Sequence, residues 1–296
     1  MGGNAFPGLQ MVRVRREFVD STVAFVVKTL QLPGFDMAYA MDNLMGSAGK
    51  QADSGDLDFA MNNAPARFVG EPSLPVFKLK DVAERARMVL LVGHVNTKTL
   101  KGGQFQTAFP VAGNPNLGYV QVDFVAGNPE WLKFSHFSPG KDASPYKGVL
   151  MSTMLGVVAK MHKDFELFHG DQRVARVGLS FDLEKGLHRQ WKLQRREGQG
   201  LSVVSADEFE TAVATSPRFS RLTHVTAPHE VLRLLFGKSV SHDEVNTFEK
   251  LVAMVRKAMP ERFMEARERF LEAAMRSGAK NEYTLESLST SSVWSQ

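Results

Sequence analysis

Asp56 and Asp58 stand two positions apart in the alternating stretch Asp56-Leu57-Asp58-Phe59-Ala60-Met61, and a Gly46-Ser47 pair precedes Asp56 by ten residues. On a strand, residues at i and i+2 point to the same face, so the two carboxylates would project together. Like charges placed side by side are costly unless a cation neutralises them. Paired carboxylate oxygens suit Mg2+ (or Mn2+), which takes one or two protein carboxylates and leaves its other positions to water and phosphate oxygens. Gly46 lets the backbone approach a phosphate closely, the Ser47 hydroxyl can donate to it, and Lys50 is placed to reach it, with an ordinary surface lysine as the plainer reading. A third carboxylate, Asp123, lies within Val120-Gln121-Val122-Asp123-Phe124-Val125, among apolar neighbours where an idle charge is costly. Three carboxylates on adjacent strands beside such a turn are the parts of two-metal phosphoryl transfer, in which ions ~3.5–4 Å apart hold the attacking and leaving oxygens in line. In that chemistry Asp56 and Asp58 bridge both ions. Asp123 holds the ion that activates the acceptor hydroxyl and can take its proton.

The pattern around these residues predicts the elements that carry them. Asp20 and Ser21 can cap a helix with Val19, Val23, Val26, Val27 and Leu30 on one face, stopped by Pro33-Gly34. A short strand-like piece follows around Met37–Met41, then the Gly46 turn and the Asp56–Met61 strand. Lys80 to Gly93 reads as an amphipathic helix, and Gln104–Val111 with Tyr119–Val125 as a hairpin closed by Gly113-Asn114-Pro115-Asn116. Trp131–Phe137 reads as one more strand. The expectation is an α+β protein whose N-terminal part is a small mixed β-sheet with helices packed on one side.

Ser138–Pro145 interrupts every periodicity and is the expected linker, which makes 1–140 a catalytic domain, 146–280 a mainly helical C-terminal domain with a short strand pair, and 281–296 a flexible tail. In the second half, Leu150, Met154, Val158 and Met161 recur at helical spacing, Val174–Phe181 and Leu187–Leu193 form the strand pair, and Val231–Phe236, Glu244–Met259 and Glu261–Arg276 are helical.

At 296 residues with 43 % hydrophobic and 23 % charged side chains, the chain falls in the globular range. Thirty-six Lys and Arg against thirty-two Asp and Glu leave +4, too balanced for a protein that coats DNA. The absence of cysteine excludes disulfides, thiolate zinc sites and a catalytic thiol, and agrees with a cytoplasmic location. The uncharged, largely apolar stretch Gly148 to Ala159 is too short to span a bilayer, so no membrane association is expected.

Met45-Gly46-Ser47 followed by Asp56-Leu57-Asp58-Phe59, with Asp123 on a later strand, resembles the signature of the nucleotidyltransferase superfamily that includes DNA polymerase β. The resemblance implies a nucleotidyltransferase-like sheet, two divalent ions, and transfer of a nucleoside monophosphate from a nucleoside triphosphate to a nucleic-acid end, a protein or a small molecule. It further implies that Gly46 and Ser47 bind the triphosphate, while Asp56, Asp58 and Asp123 hold the metals. The stretch Val120–Pro139 is also similar to uncharacterised nucleotidyltransferase-like proteins of tailed phages, for which the location would be the host cytoplasm. The eight-residue connection Ala48–Gly55 is shorter than the family's usual one, and Lys50 stands about where many small members carry arginine. The resemblance covers roughly residues 35–140.

Other motifs carry less. Gly49-Lys50 is no P-loop, because Leu44 stands at the first glycine position and Gln51 where Ser or Thr is needed. The eight histidines show no metal spacing, and no Gly-x-Ser-x-Gly elbow is present. Lys185, Arg189, Trp191, Lys192, Arg195 and Arg196 could track an RNA or DNA backbone with the indole stacked on a base. The plainer reading is a strand with exposed cations and buried Leu187, Trp191 and Leu193. The competing function is therefore a catalytically inactive copy of the same fold, acting in nucleic-acid binding or as a structural component.

Overall fold

A computed structural model of the chain describes residues 5–63, 74–140, 142–162, 165–169, 172–194, 201–204, 225–237, 239–281 and 283–295; at 165–169, 172–177, 189–194, 201–204, 278 and 281 the backbone alone is described. The chain divides into two compact units, Met1–Val149 with Asn246–Phe248, and Leu150–Val245 with Glu249–Gln296. Among the described residues no helix is long and apolar enough to cross a membrane.

The first unit is built on a five-stranded mixed sheet. Its strands are β2 (Leu44–Met45), β4 (Asp56–Asn62), β5 (Val95–Asn96), β6 (Gln104–Pro110) and β7 (Tyr119–Gly127), in the order β2-β4-β7-β6-β5. Only the central pair β4 and β7 is parallel; the other neighbours are antiparallel. A separate two-stranded ribbon joins β1 (Val14–Arg15) to β3 (Asp53–Ser54).

Strand alternation sorts the central side chains onto two faces. Leu57, Phe59 and Met61 of β4, with Val120, Val122 and Phe124 of β7, enter the main core against helices α1 (Val19–Leu30), α2 (Met37–Asp42) and α3 (Leu79–Val89). Stacked rings tie three strands and a loop together there: Phe124 lies 5.0 Å from Phe105 and 5.8 Å from Phe59, and Phe35 meets Phe59 edge-on at 5.4 Å. Ala60 and Val125 point the other way and pack with Met45 and Leu132, the last from helix α4 (Pro129–Ser135). Helices therefore cover both faces, where one covered side was expected.

Two expected strands are helices, and in each a capping group decides it. Asp36 accepts a hydrogen bond from the Tyr39 N–H at 2.8 Å and starts α2, so Met37–Met41 is helical. Asn128 accepts from the N–H groups of Glu130 and Trp131, and Pro129 occupies the first helical turn; Trp131–Phe137 accordingly opens in α4. Tyr39 then fastens α2 to β4, donating its hydroxyl to the Ala60 carbonyl and accepting from the Asn62 N–H, both at 3.0 Å. Replacing Tyr39 by Phe removes both hydrogen bonds, and a loss of about 1–3 kcal/mol in denaturant unfolding is expected.

The expected linker is folded against the first unit: Ser138 and Ser144 are buried, and the N–H groups of Ala143 and Ser144 close a turn on the Gly140 carbonyl. Near the end of that stretch the Tyr146 ring meets Phe248 at 5.2 Å, so a segment about a hundred residues later in the chain completes this unit.

The second unit carries more sheet than expected. Strands β8 (Phe165–His169), β9 (Gln172–Asp182), β10 (Gly186–Gln194) and β11 (Leu201–Val204) form a four-stranded antiparallel sheet in the order β11-β10-β9-β8, of which the expected strand pair is the middle. Helices α5 (Gly148–Met161, whose first two residues belong to the first unit), α6 (Pro228–Phe236), α7 (from Phe248 to Ala258), α8 (Phe263–Arg276) and α9 (Leu285–Ser289) supply the helical part. The expected flexible tail is packed. Leu288 and Val293 are buried, the Trp294 ring lies 5.6 Å from Phe270, and the guanidinium groups of Arg256 and Arg267 donate to the carbonyls of Trp294 and Ser289. Ser/Thr-rich composition hid this, because the docking rests on three apolar side chains and two arginines from elsewhere.

Candidate active site

The parallel register between β4 and β7 sets Asp58 directly beside Asp123, and Asp56 beside Gln121. All three carboxylates lie on the face opposite the aromatic core, because they share the parity of Ala60 and Val125 rather than that of Phe59 and Phe124. Each side chain is only partly exposed. Asp123 is oriented by its strand neighbour: Gln121 Nε2 donates to Asp123 Oδ1 at 2.8 Å. Leu132 of α4 covers Ala60 and Val125 further along the same face, so the carboxylates occupy the end that α4 leaves clear.

The Gly46 turn abuts this face. Met45 pairs with Asp58 across β2 and β4, and the chain then turns at Gly46 with φ +67°. A Cβ at that position would stand 3.1 Å from Asp58 Oδ2, so glycine is needed both for the left-handed backbone and for the close approach to the carboxylate. Lys50 N–H and Gln51 N–H both donate to the Ser47 carbonyl and close the turn. The Ser47 hydroxyl shares a hydrogen bond with Ser54 at 2.9 Å. Lys50 Nζ donates back to the Gly46 carbonyl at 3.1 Å and lies 4.8 Å from the Phe137 ring centroid, and its burial lowers the ammonium pKa. Of the residues expected to hold phosphate, Gly46 is at the carboxylates, Ser47 is tied to a neighbouring strand, and Lys50 braces the turn.

The electrostatics follow from burial and crowding. Burial raises Asp58 well above the usual carboxylate range, and the charges of Asp56 and Asp123 raise it further. Asp123 is pushed up to about 7 by burial and by Asp56, against the stabilising bond from Gln121. Asp56 is raised by burial but is partly compensated by the cations Arg13 and Lys147. Neither cation was among the expected site residues; they are 43 positions before and 91 after Asp56, so no local spacing announces them. Arg13 is anchored by a 2.6 Å ion pair to Asp53, which stands on β3 outside the trio.

The trio offers hard oxygen donors on one sheet face, the donor type that Mg2+ and Mn2+ take. The side chains are not closed into a cage: among the described residues no three His, Cys, Asp or Glu are grouped to hold a metal ion. In the second unit, Lys185 is exposed on the turn before β10 and Leu187 is buried, as the plainer reading expects. Of Arg189, Trp191 and Lys192 the backbone alone is described, on β10, while Arg195 and Arg196 lie outside the described residues. Comparison with models of protein families, with curated proteins and with solved structures finds no match to this chain.

Proposed function

We propose that this chain is a metal-dependent nucleotidyltransferase with a nucleotidyltransferase-like first unit. The observation that carries the reading is the pairing of Asp58 with Asp123 on one sheet face, with Asp56 one alternation away and the Gly46 backbone against the Asp58 carboxylate. Mg2+ or Mn2+, when bound, supplies positive charge to the phosphate oxygens and lowers the pKa of the attacking hydroxyl. Asp56 and Asp58 would hold both ions and Asp123 the one nearer the acceptor. The Gly46-Ser47 turn receives the triphosphate through its backbone. An acceptor oxygen bonds to the α-phosphorus as the bond from that phosphorus to the bridging oxygen breaks, releasing pyrophosphate. The acceptor proton passes to the Asp123 carboxylate, which Gln121 orients through Oδ1.

The competing reading, an inactive copy of this fold acting in nucleic-acid binding or as a structural component, draws on the open arrangement of the three carboxylates. One assay separates them: incubation with Mg2+ or Mn2+, each labelled nucleoside triphosphate, and RNA, protein or small-molecule acceptors. Label transfer by the wild type that is lost in Asp123→Asn supports the enzyme. Transfer untouched by Asp123→Asn, or none with any donor, overturns it.

A further inference from the structure

We propose that the tip at the C-terminal end of α3, formed by Met88 and the turn Leu91–His94, is a docking surface for an anionic lipid bilayer; the proposal is independent of the enzyme reading. Met88 and Leu91 are each 72 % exposed and Val92 is 104 % exposed, so the Val92 side chain stands wholly clear of the fold. The turn that carries them is anchored. The His94 N–H donates to the Leu91 carbonyl at 3.0 Å, and Gly93 has φ +89°, the left-handed value that the third residue of a type II turn requires. Its far end is pinned to the sheet: His94 is buried, its carbonyl accepts from the Ala108 N–H at 2.9 Å, and its ring meets Tyr119 edge-on at 5.1 Å. Turn tips ordinarily carry Gly, Pro, Asn, Asp or Ser. Here an anchored tip presents Leu and Val to solvent instead.

Charge selects the partner. No acidic residue occurs between Glu84 and Asp123, whereas Arg87, Lys98 and Lys101 are all exposed. Arg87 donates to Thr97 Oγ1 at 2.5 Å, which fastens the loop carrying Lys98 to the last turn of α3, beside Met88. The acids of α3, Asp81 and Glu84, lie in its earlier turns. An apolar tip flanked by cations matches a bilayer with anionic headgroups: the apolar side chains enter the headgroup boundary while Lys and Arg stay at the phosphates. Such attachment needs no spanning segment. Area argues the same way. A stable protein interface takes ~800 Å² and about 20–30 residues from each partner, far more than three protruding side chains offer. The tip leads into β5, the sheet edge opposite β2, and α3 lies on the aromatic-core face. Attachment there leaves the carboxylate face and the Gly46 turn open.

The test is cosedimentation of the full chain with phosphatidylserine-containing vesicles and with phosphatidylcholine vesicles, alongside sedimentation velocity of the protein alone. The wild type is expected to bind the anionic vesicles at least about tenfold more tightly, and to lose that preference as NaCl rises from about 0.1 to about 0.5 M. Leu91→Ser combined with Val92→Ser is expected to weaken binding about ten- to a hundredfold at an unchanged thermal midpoint. Lys98→Ala combined with Lys101→Ala is expected to weaken it about tenfold on anionic vesicles alone. Met264→Ser, which removes an exposed apolar side chain from α8, is expected to change nothing. A wild type that binds neither vesicle, or a Leu91/Val92 double variant that binds like the wild type, overturns the proposal. Equal losses in Met264→Ser reduce the effect to general surface hydrophobicity and also overturn it. A wild-type dimer that the Leu91/Val92 variant converts to monomer assigns the tip to a second copy of the chain in place of lipid.

Discussion

Asp58→Asn is expected to make the ion-free protein more stable while abolishing nucleotide transfer. The carboxylate of Asp58 is held among Asp56 and Asp123 with little water to screen it, so folding works against three charges that repel one another. An amide of the same shape removes the central charge. At about pH 8 the gain should be about 1–3 kcal/mol, read as a rise of several degrees in the thermal midpoint. The pH dependence gives the sign independently. Asp123 titrates near 7 in the folded protein against an ordinary 3.8, so between those values the folded state binds more protons than the unfolded one. The Asp123 contribution to the stability of the ion-free wild type therefore falls as pH rises from about 4 to about 7. Added Mg2+ should return the lost stability to the wild type and much less to the variant. Transfer should fall by about a thousandfold or more, since the ions lose a bridging ligand. A variant that melts at or below the wild-type temperature without ions, or that retains transfer, contradicts the site.

Gly46→Ala is the second large effect, and it acts through geometry alone. The backbone at Gly46 is left-handed, a conformation that costs an L-residue roughly 1–2 kcal/mol. The added methyl would also press on Asp58 Oδ2 at 3.1 Å, with the neighbouring strand pair holding both sides in place. Either the turn or the carboxylate has to shift by a few tenths of an ångström. Because reacting groups tolerate such displacement poorly, transfer is expected to drop by about a hundredfold, with a thermal midpoint lower by a few degrees. Gly49→Ala makes the comparison informative. Its φ is also positive at +73°, but nothing lies within 4 Å of a Cβ there. It should therefore show the backbone cost without the large loss of transfer. Equal activity losses in the two variants would mean that contact with Asp58 is not what Gly46 provides.

The carboxylate face was legible in the sequence because strand alternation is a strict period of two. Asp56, Asp58 and Asp123 each had apolar neighbours that fixed which face was the core. The partner of Asp58 was not legible, since a one-residue change of register would have set Val122 or Phe124 beside it. The two misassigned strands failed for a shared reason: short apolar runs such as Met37–Met41 carry no period of their own. The local caps decide them, and Asn128-Pro129-Glu130 is a helix-start signal that was present and outweighed by the aromatic residues after it. β8 and β11 were missed because strands of five and four residues offer too few alternations to register. Lys147 and Arg13 were beyond reach for a different reason, as only the folded backbone brings them to Asp56.

The return of Asn246–Phe248 to the first unit has a consequence for how the protein is made. Phe248 closes against Tyr146, so the carboxylate unit lacks one of its own pieces when Val149 has just been synthesised. At ribosomal rates of about 5–20 residues per second, completing it takes roughly another five to twenty seconds of translation. The sheet can assemble early, but the nascent chain holds an unfinished first unit until about two thirds of the second has been made. Neither unit can be released whole by a single cut or joined to another protein at a single seam.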